Sequence, residues 1–493
     1  MRVINNEQMR LGAVDVSQVK IDSKSRDDIP QILRGIQYFY THVEIREKLF
    51  YALEKTIPST IDKSNGRPGM ALWKIFVLGI LRLNLNCDYD RLQSLANNYR
   101  TVREMLGHGY FDEDYYQLQT LKDNVQLLTP EVLAEINQIV VGAGHKLLKK
   151  KETADVAARC DSFVVKTDVH FPTDINLLYD ATRKAIQLIA QLSEQFEITS
   201  WRQSQYNIKQ VKRAYRKAQQ SKRANKKNEE QRLRHIQNEH KAYIDLAELY
   251  FTRVSQSIHH ITSTQTLSMI DVANIMKIEE YVNHGARQID QIKRRVLQGE
   301  VIPNEEKVFS LFEPHTEWIC KGKLGVPVEL GVKVCIIEDK DQFILHHRVM
   351  WKQSDDKLTV PMAKETKEKF PTLYSVSYDK GFYSKDNREQ LAEILDAYSL
   401  PKKGKLSETD KGIQSSDAYI KAKQKHSAVE SAINALDHHG LDKCPDHGKG
   451  GLERYVALAI VGRNIQRIGA ILQKREQRLL ILRERRQRFK KAA

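Results

Sequence analysis

Cysteine is scarce in this chain and badly placed to staple it. Cys87, Cys160, Cys320, Cys335 and Cys444 are odd in number, scattered, and never spaced C-x-x-C. That argues against a disulfide framework or a zinc ribbon and fits a reducing compartment. No run approaches the roughly 18 apolar residues that a bilayer-spanning helix needs. The opening residues MRVINNEQMRLGAVD lack the apolar stretch of a secretory signal, and no internal repeat is present. A soluble, intracellular protein with no membrane partner is expected. Negative charge is also in deficit: 63 Asp+Glu face 79 Lys+Arg, a net of +16. In a large chain such an excess favours polyanionic partners, nucleic acid before acidic lipid. With 41% hydrophobic residues over 493 positions the chain is no disordered tail. Its length predicts two to four domains at roughly 100–200 residues each.

Residues 1–30 are polar and patternless and read as a flexible lead-in. Residues 31–150 read as helical. The run ALWKIFVLGILRL (71–83) follows a Gly-Arg-Pro-Gly breaker at 66–69, where a helix can start but not continue. Asp88 can cap a second helix, Thr101 a third ending at Gly107, and Thr129 a fourth that runs into the basic stretch 146–151. Short helices in a row suit a helix-turn-helix, so this region is expected to be a DNA-binding domain.

The character changes at SFVVKTDV (162–169), a short β-branched strand, and residues 175–300 return to helix. Positions 202–241 carry thirteen Lys/Arg against three Asp/Glu, with Trp201, Tyr206, Tyr215 and Tyr243 in or beside them. Such a helix is a solvated arm or a phosphate-tracking surface. Lys209, Lys212, Arg213, Arg216 and Lys217 are the candidate DNA contacts. VPVELGVKVCII (326–337) and QFILHHRVMW (342–351), split by EDKD, alternate like a hairpin. A helix at 362–370, a strand at 373–378, a helix at 387–395, a strand at 397–400 and helix from 418 onward complete the pattern. The tail from Lys474 holds nine Lys/Arg and two Glu.

This order predicts an α/β fold with a mixed sheet flanked by helices. With the helical stretch set aside, it is the element order of an RNase-H-like domain. The expected organisation is a lead-in (1–30), a helical domain (31–150), an RNase-H-like core built from 160–180 and 305–470, a helical basic insertion (181–304) after the first strand, and a basic tail (471–493). Asp168 and Asp379 close predicted strands, where mixed sheets commonly present functional side chains. Glu430 sits in the helical HSAVESAINAL (426–436). Three carboxylates from two strands and a helix can hold two Mg²⁺ (or Mn²⁺) ions, the arrangement phosphoryl transfer needs. Spacing alone does not select these three from 63 acidic residues.

Five segments in order carry a resemblance: KTDVHFPTDINLL (166–178), FEPHTEWICKGKLGVPVELGVKV (312–334), YDKGFYSKDNREQL (378–391), HSAVESAINALDHHGLDKC (426–444) and ERYVALAIVGRNIQRIG (453–469). The chain resembles the DDE transposases of bacterial insertion sequences, particularly the ISNCY-type group, and residues 66–107 are similar to the InsH-like amino-terminal domain of such enzymes. The resemblance covers most of residues 30–470. It implies Asp168, Asp379 and Glu430 as the catalytic and metal-holding trio, Mg²⁺-dependent cleavage at element ends, and attack of the freed 3′-hydroxyl on target DNA. It also implies terminal inverted repeats as the bound DNA, a homodimer in the DNA complex, and a bacterial cytoplasmic, nucleoid-associated location. Related enzymes carry a Tyr, Arg, Glu, Lys signature. Here Lys423, His426 and Asp437 occupy the offsets of its Tyr, Arg and Lys, so His426 is left as the phosphate contact. Lys321 and Lys323 in the KGK turn, and Lys380 beside Asp379, are further candidate DNA contacts. The rival readings are a nuclease of the same fold without strand transfer, and a DNA-binding protein with an inactive catalytic domain.

Other residues have plainer readings. Asp174 reads as a helix cap, His170 as structural, and Trp318 and Trp351 as packing. Arg463 and Asn464 read as helix-face residues. His438, His439, Cys444 and His447 are ligand types without a clean pair spacing.

Overall fold

The computed structural model describes residues 2–5, 12–57, 68–151, 153–223, 228–320, 327–402, 404 and 406–492. The chain divides into two compact units, residues 1–168 with 319–493, and residues 169–318.

The first unit opens with helices α1 (Asp28–Thr41), α2 (Val43–Glu54), α3 (Leu72–Asn84), α4 (Tyr89–Asn98), α5 (Arg100–Met105), α6 (Leu118–Val125) and α7 (Pro130–Leu147). Their starts follow the local chemistry. The Asp88 carboxylate accepts from the Arg91 amide at the head of α4, and the Thr129 hydroxyl accepts from Val132 N–H at the head of α7, with Pro130 in its first turn. Thr101, expected as a cap, lies inside α5, whose cap position is Tyr99 with no side-chain bond.

Strand β1 (Val156–Thr167) is central in the sheet. On one side it pairs antiparallel with β3 (Val328–Asp339), which carries β2 (Glu317–Cys320) and hairpin partner β4 (Ile344–Met350). On the other it pairs parallel with β5 (Leu373–Tyr378), which pairs parallel with β6 (Ala397–Ser399); β7 (Lys443–Cys444) lies parallel to the end of β1. The parallel crossovers contain α12 (Asp355–Lys369) and α13 (Lys385–Ile394), as parallel pairing requires. Helices α14 (Glu408–Gln414), α15 (Asp417–His426), α16 (Val429–Leu436) and α17 (Gly448–Ala492) close the chain. The architecture is α/β, with the expected hairpin and the expected 373–378 strand in place.

Residues 31–150 do not form a separate domain. Their apolar residues and those of the sheet make one continuous core, in which Ile36, Phe76, Ile136, Val332, Phe343 and Ile460 are all fully buried. All of α3 is buried except Lys74, so it is a core helix with no face free for a DNA groove. Helices α1 and α17 cross at glycines: a Cβ on Gly35 would overlap the Ile465 carbonyl oxygen, and one on Gly469 the Gln31 carbonyl oxygen. Asn464 is buried on α17, where it accepts from Ile344 N–H at 2.9 Å and donates to Asn137 Oδ1 at 2.8 Å, tying α17 and α7 to the hairpin. The described part of the lead-in from residue 12 on is not loose either. Val16 and Val19 enter the core, and Gln37 Nε2 donates to their carbonyls at 2.8 and 2.9 Å. The basic tail continues α17 to Ala492.

The second unit, 169–318, is wider than the expected insertion at both ends. It contains α8 (Asp174–Gln195), α9 (Ser204–Ser221), α10 (Glu229–Thr264) and α11 (Met269–Ile292). These helices have their own core, including Leu178, Ile186, Val211, Tyr243, Val254 and Ile278. Thr173, not Asp174, caps α8. Among the described residues, no helix is long and apolar enough to cross a membrane.

Because the helices of 31–150 share their core with the sheet and α17, that fragment alone leaves a large apolar face exposed. Expressed by itself it is expected to show no cooperative thermal transition by circular dichroism, whereas residues 169–318 alone are expected to show one.

Candidate acidic site

Three carboxylates meet where β1 and β5 run side by side. The parallel register sets Cys160 opposite Tyr378, so the next residue on each chain, Asp161 in β1 and Asp379 just past β5, are neighbours. Adjacent strands lie about 4.8 Å apart. Glu430 approaches from the first turn of α16, which packs on β1. Asp161 is half-buried, and its carboxyl is pushed up to about 6: burial is the main cause, and Asp379, Asp355 and Glu430 each raise it further, against the Ser162 N–H that lowers it. Asp379 and Glu430 are exposed.

Asp168 is not part of this group. It lies seven residues beyond Asp161, roughly 20 Å along an extended strand, where Lys443 Nζ contacts its Oδ1 at 2.5 Å. The sequence pattern places the strand at 162–169. The strand instead begins at Val156, so its β-branched half is only its second half, and the acid beside Asp379 is the mid-strand Asp161. The signal that could have found it is the preceding VAARC segment, a buried central-strand sequence with little alternation.

His426, the last residue of α15, sits among these acids. Its Nδ1 lies 3.1 Å from Ser377 Oγ, two residues before Asp379. Burial lowers its basicity, while Asp379 and Glu430 oppose that. Across the sheet, Asp355 at the head of α12 accepts from Ser162 Oγ at 2.7 Å and pairs with Lys333 Nζ at 3.1 Å. Ser162 N–H in turn donates to Asp161 Oδ1 at 2.7 Å. This chain of contacts holds the backbone at Asp161 from the opposite face, and nothing in the sequence pattern marks Asp355 or Lys333 for it.

The donor set is all oxygen apart from one imidazole, which suits Mg²⁺ or Mn²⁺ better than zinc. Like charges in a shared, partly dry space also favour a cation between them. The ligand atoms of Asp161, Asp379 and Glu430 stand further apart than those of His108, Asp112 and Asp114, which among the described residues form the one group of potential ligands within 4.8 Å of one another. In that group His108 Nδ1 bonds Asp112 at 2.8 Å and Nε2 bonds Tyr116 Oη at 2.6 Å, so both ring nitrogens are engaged in protein contacts.

The cationic candidates divide. Lys209, Lys212, Arg213, Arg216 and Lys217 are all exposed along α9, whose other face buries Ile208, Val211 and Ala218. Lys380 is exposed beside Asp379. Lys321 and Lys323 lie outside the described residues. Four of the other side chains are held in ordinary structural contacts. His170 bonds Asp180 at 2.6 Å in the second unit, Trp351 Nε1 donates to Glu453 at 2.9 Å, His439 Nδ1 contacts Asn84 O at 2.8 Å, and Cys444 Sγ contacts Asp446 O at 3.6 Å. No zinc cluster forms from His438, His439, Cys444 and His447 among the described residues.

Comparison of the chain with protein-family models, with curated proteins and with solved structures finds no match.

A carboxyl held above its unfolded value favours folding only while it carries the proton. The Asp161 contribution is therefore complete below the ordinary carboxylate range and is lost as pH rises through about 6. Asp161→Asn is expected to stabilise the apo protein by about 2–3 kcal/mol near pH 8 and by almost nothing near pH 3. Urea unfolding at the two pH values measures this.

Proposed function

We propose that the chain is a DNA transposase of the DDE type, with an RNase-H-like core in which Asp161, Asp379 and Glu430 are the catalytic carboxylates. The observation that carries the reading is the meeting of those three where β1 and β5 run side by side, under a helix, in a sheet of order β2-β3-β1-β5-β6 whose β3 side is antiparallel to β1 and whose β5, β6 and β7 run parallel to it. The motif resemblance supports the class, with its first Asp moved from Asp168 to Asp161.

In this reading Asp161, Asp379 and Glu430 would hold two Mg²⁺ ions. Bound there, the ions supply activation of the attacking oxygen and neutralisation of charge on the phosphodiester. The protein's own part is positioning. Asp161 is held in a strand paired on both sides, so its carboxylate enters the site with little freedom to move. His426, anchored through Ser377, faces the same space and offers an N–H to a phosphate oxygen. Lys380 offers a cation to the strand that leaves the site. The exposed stripe on α9 tracks the backbone of bound DNA, and two terminal inverted repeats brought together imply a dimer in the complex. Water attacks the phosphorus at the element end and expels the element strand's 3′-oxygen as a hydroxyl; that 3′-hydroxyl then attacks a target phosphodiester at the same centre, forming the new ester as the target strand's own 3′-oxygen leaves with the proton.

Incubation with Mg²⁺ and DNA carrying the element's terminal repeats tests this. Joined products are expected. Nicks without joining would indicate a nuclease, and no cleavage a binding protein. Asp161→Asn, Asp379→Asn and Glu430→Gln are each expected to lower the rate by roughly a thousandfold or more. Asp168→Asn should stay within about threefold of the parent, since Lys443 holds it elsewhere. An inactive Asp168→Asn with an active Asp161→Asn would reverse the assignment.

The α9 stripe makes a separate prediction. Replacing Lys209, Lys212, Arg213, Arg216 and Lys217 with Gln should flatten the dependence of DNA affinity on salt by roughly 0.9 in the log–log slope for each phosphate that is no longer neutralised. Anisotropy titrations at several salt concentrations read the slope.

A further inference from the structure

The second unit contains a cavity of about 290 Å³ whose two walls differ sharply in chemistry. One wall is aromatic. Trp318, 36% exposed, stands 5.6 Å from Phe309 at an interplanar angle of 32°, and Phe171 meets it edge-on at 5.5 Å and 64°. The other wall is cationic, made by Lys222, Arg295 and Lys307 beside the first turn of the 22-residue helix α8.

The cations are not fully answered by the protein. Arg295 is paired to Asp174 at 2.5 Å, and Lys307 donates to the neutral Asn304 side chain at 3.1 Å. Lys222 is half-buried. Burial and the nearby Arg295 push its ammonium down in pKa, with Asp174 opposing. Among the described residues lining the cavity, one carboxylate therefore faces three cations, and an anion entering it would relieve the excess. Lys222 is also the C-cap of α9. The helix that carries the exposed row from Lys209 to Lys217 thus terminates in the wall of this cavity.

We propose that this cavity takes one unpaired nucleotide of a DNA strand, its base stacked on Trp318 and its phosphate against Lys222 and Lys307. A flat aromatic surface accepts any base by its π-face, but only a base withdrawn from the duplex presents that face. The cavity is large enough to receive a base, and the stripe on α9 supplies the approach for the strand. The inference rests on the reading of the chain as a DNA-processing protein and adds a substrate subsite to it.

The test uses the whole chain in EDTA, so it does not depend on chemistry at Asp161. Anisotropy titrations compare two duplexes of the same sequence, one fully paired and one with a single unpaired fluorescent purine analogue. The duplex with the unpaired base is expected to bind about tenfold tighter, with its emission quenched by stacking. Trp318→Ala should bring the affinity ratio of the two duplexes close to one. Lys222→Gln, which leaves the aromatic wall in place, should lower the ratio several-fold, and far-ultraviolet circular dichroism checks that both variants are folded. Equal wild-type binding of the two duplexes, or an unchanged ratio in both folded variants, would overturn the proposal. Free deoxynucleoside monophosphate is expected not to compete below millimolar concentration. Competition at micromolar concentration would make this a mononucleotide site and overturn the assignment to a strand. Loss of the preference with DNA joining intact sinks this inference alone, and loss of joining with the preference intact sinks the transposase reading alone.

Discussion

The parallel ladder between β1 and β5 carries the candidate site. It sets Cys160 beside Tyr378, and through that single register decides which acid in β1 stands next to Asp379. A slip of one residue would turn the Asp161 side chain to the opposite face of the sheet. Several features oppose such a slip. β1 is also paired along nine residues with β3, and a Cβ on Gly331 would overlap the Val165 carbonyl oxygen, so the close approach of the two strands depends on glycine there. The Asp355 carboxylate, held by Lys333, grips Ser162 from behind. These contacts keep Asp161 in a position that is electrostatically unfavourable without a counter-cation, which is the usual condition of a site that works by holding one.

Around that ladder the first unit is a single packed body. Helices α1, α3 and α7 lie against α17, and the buried Asn464–Asn137 contact joins that helical layer to the hairpin that borders the sheet. Buried amides that satisfy one another specify one arrangement of the helices, because any other would strand polar groups in an apolar core. The amino-terminal helices therefore act as the support of the sheet, and the positive charge available to a polyanion is concentrated elsewhere. α9 in the second unit displays its cations on one face while its other face is buried in a separate core. The acidic site and the basic stripe thus belong to different units.

Local sequence signals are legible wherever one segment's own pattern settles its structure. The hairpin at 326–351 alternates apolar and polar residues. LYSVSY is a strand bounded by turn residues. Asp88 and Thr129 are caps followed by apolar helical spacing. The basic face of α9 follows from the spacing of Lys209, Lys212, Arg213, Arg216 and Lys217, with Val211 and Ala218 turned the other way. The start of β1 is not legible, because Ala157, Ala158 and Arg159 are poor strand formers in isolation and become strand through pairing with both neighbours. The polar lead-in hides its packing role for a related reason: Val16 and Val19 are two apolar residues in a polar stretch, and only a distant core gives them somewhere to go.

The amino-acid sequence by itself determined the element types, the α/β class and the excess of positive charge, because each follows from composition or from short-range periodicity; Asp379 and Glu430 were marked only by the motif resemblance, since spacing does not single them out among 63 acidic residues. Tertiary structure decided the third acid, the fusion of the amino-terminal helices into the sheet's core, and the cavity between Trp318 and Lys222. Each of those depends on which residues far apart in the chain come into register, and a strand's pairing partner leaves no trace in its own neighbouring residues.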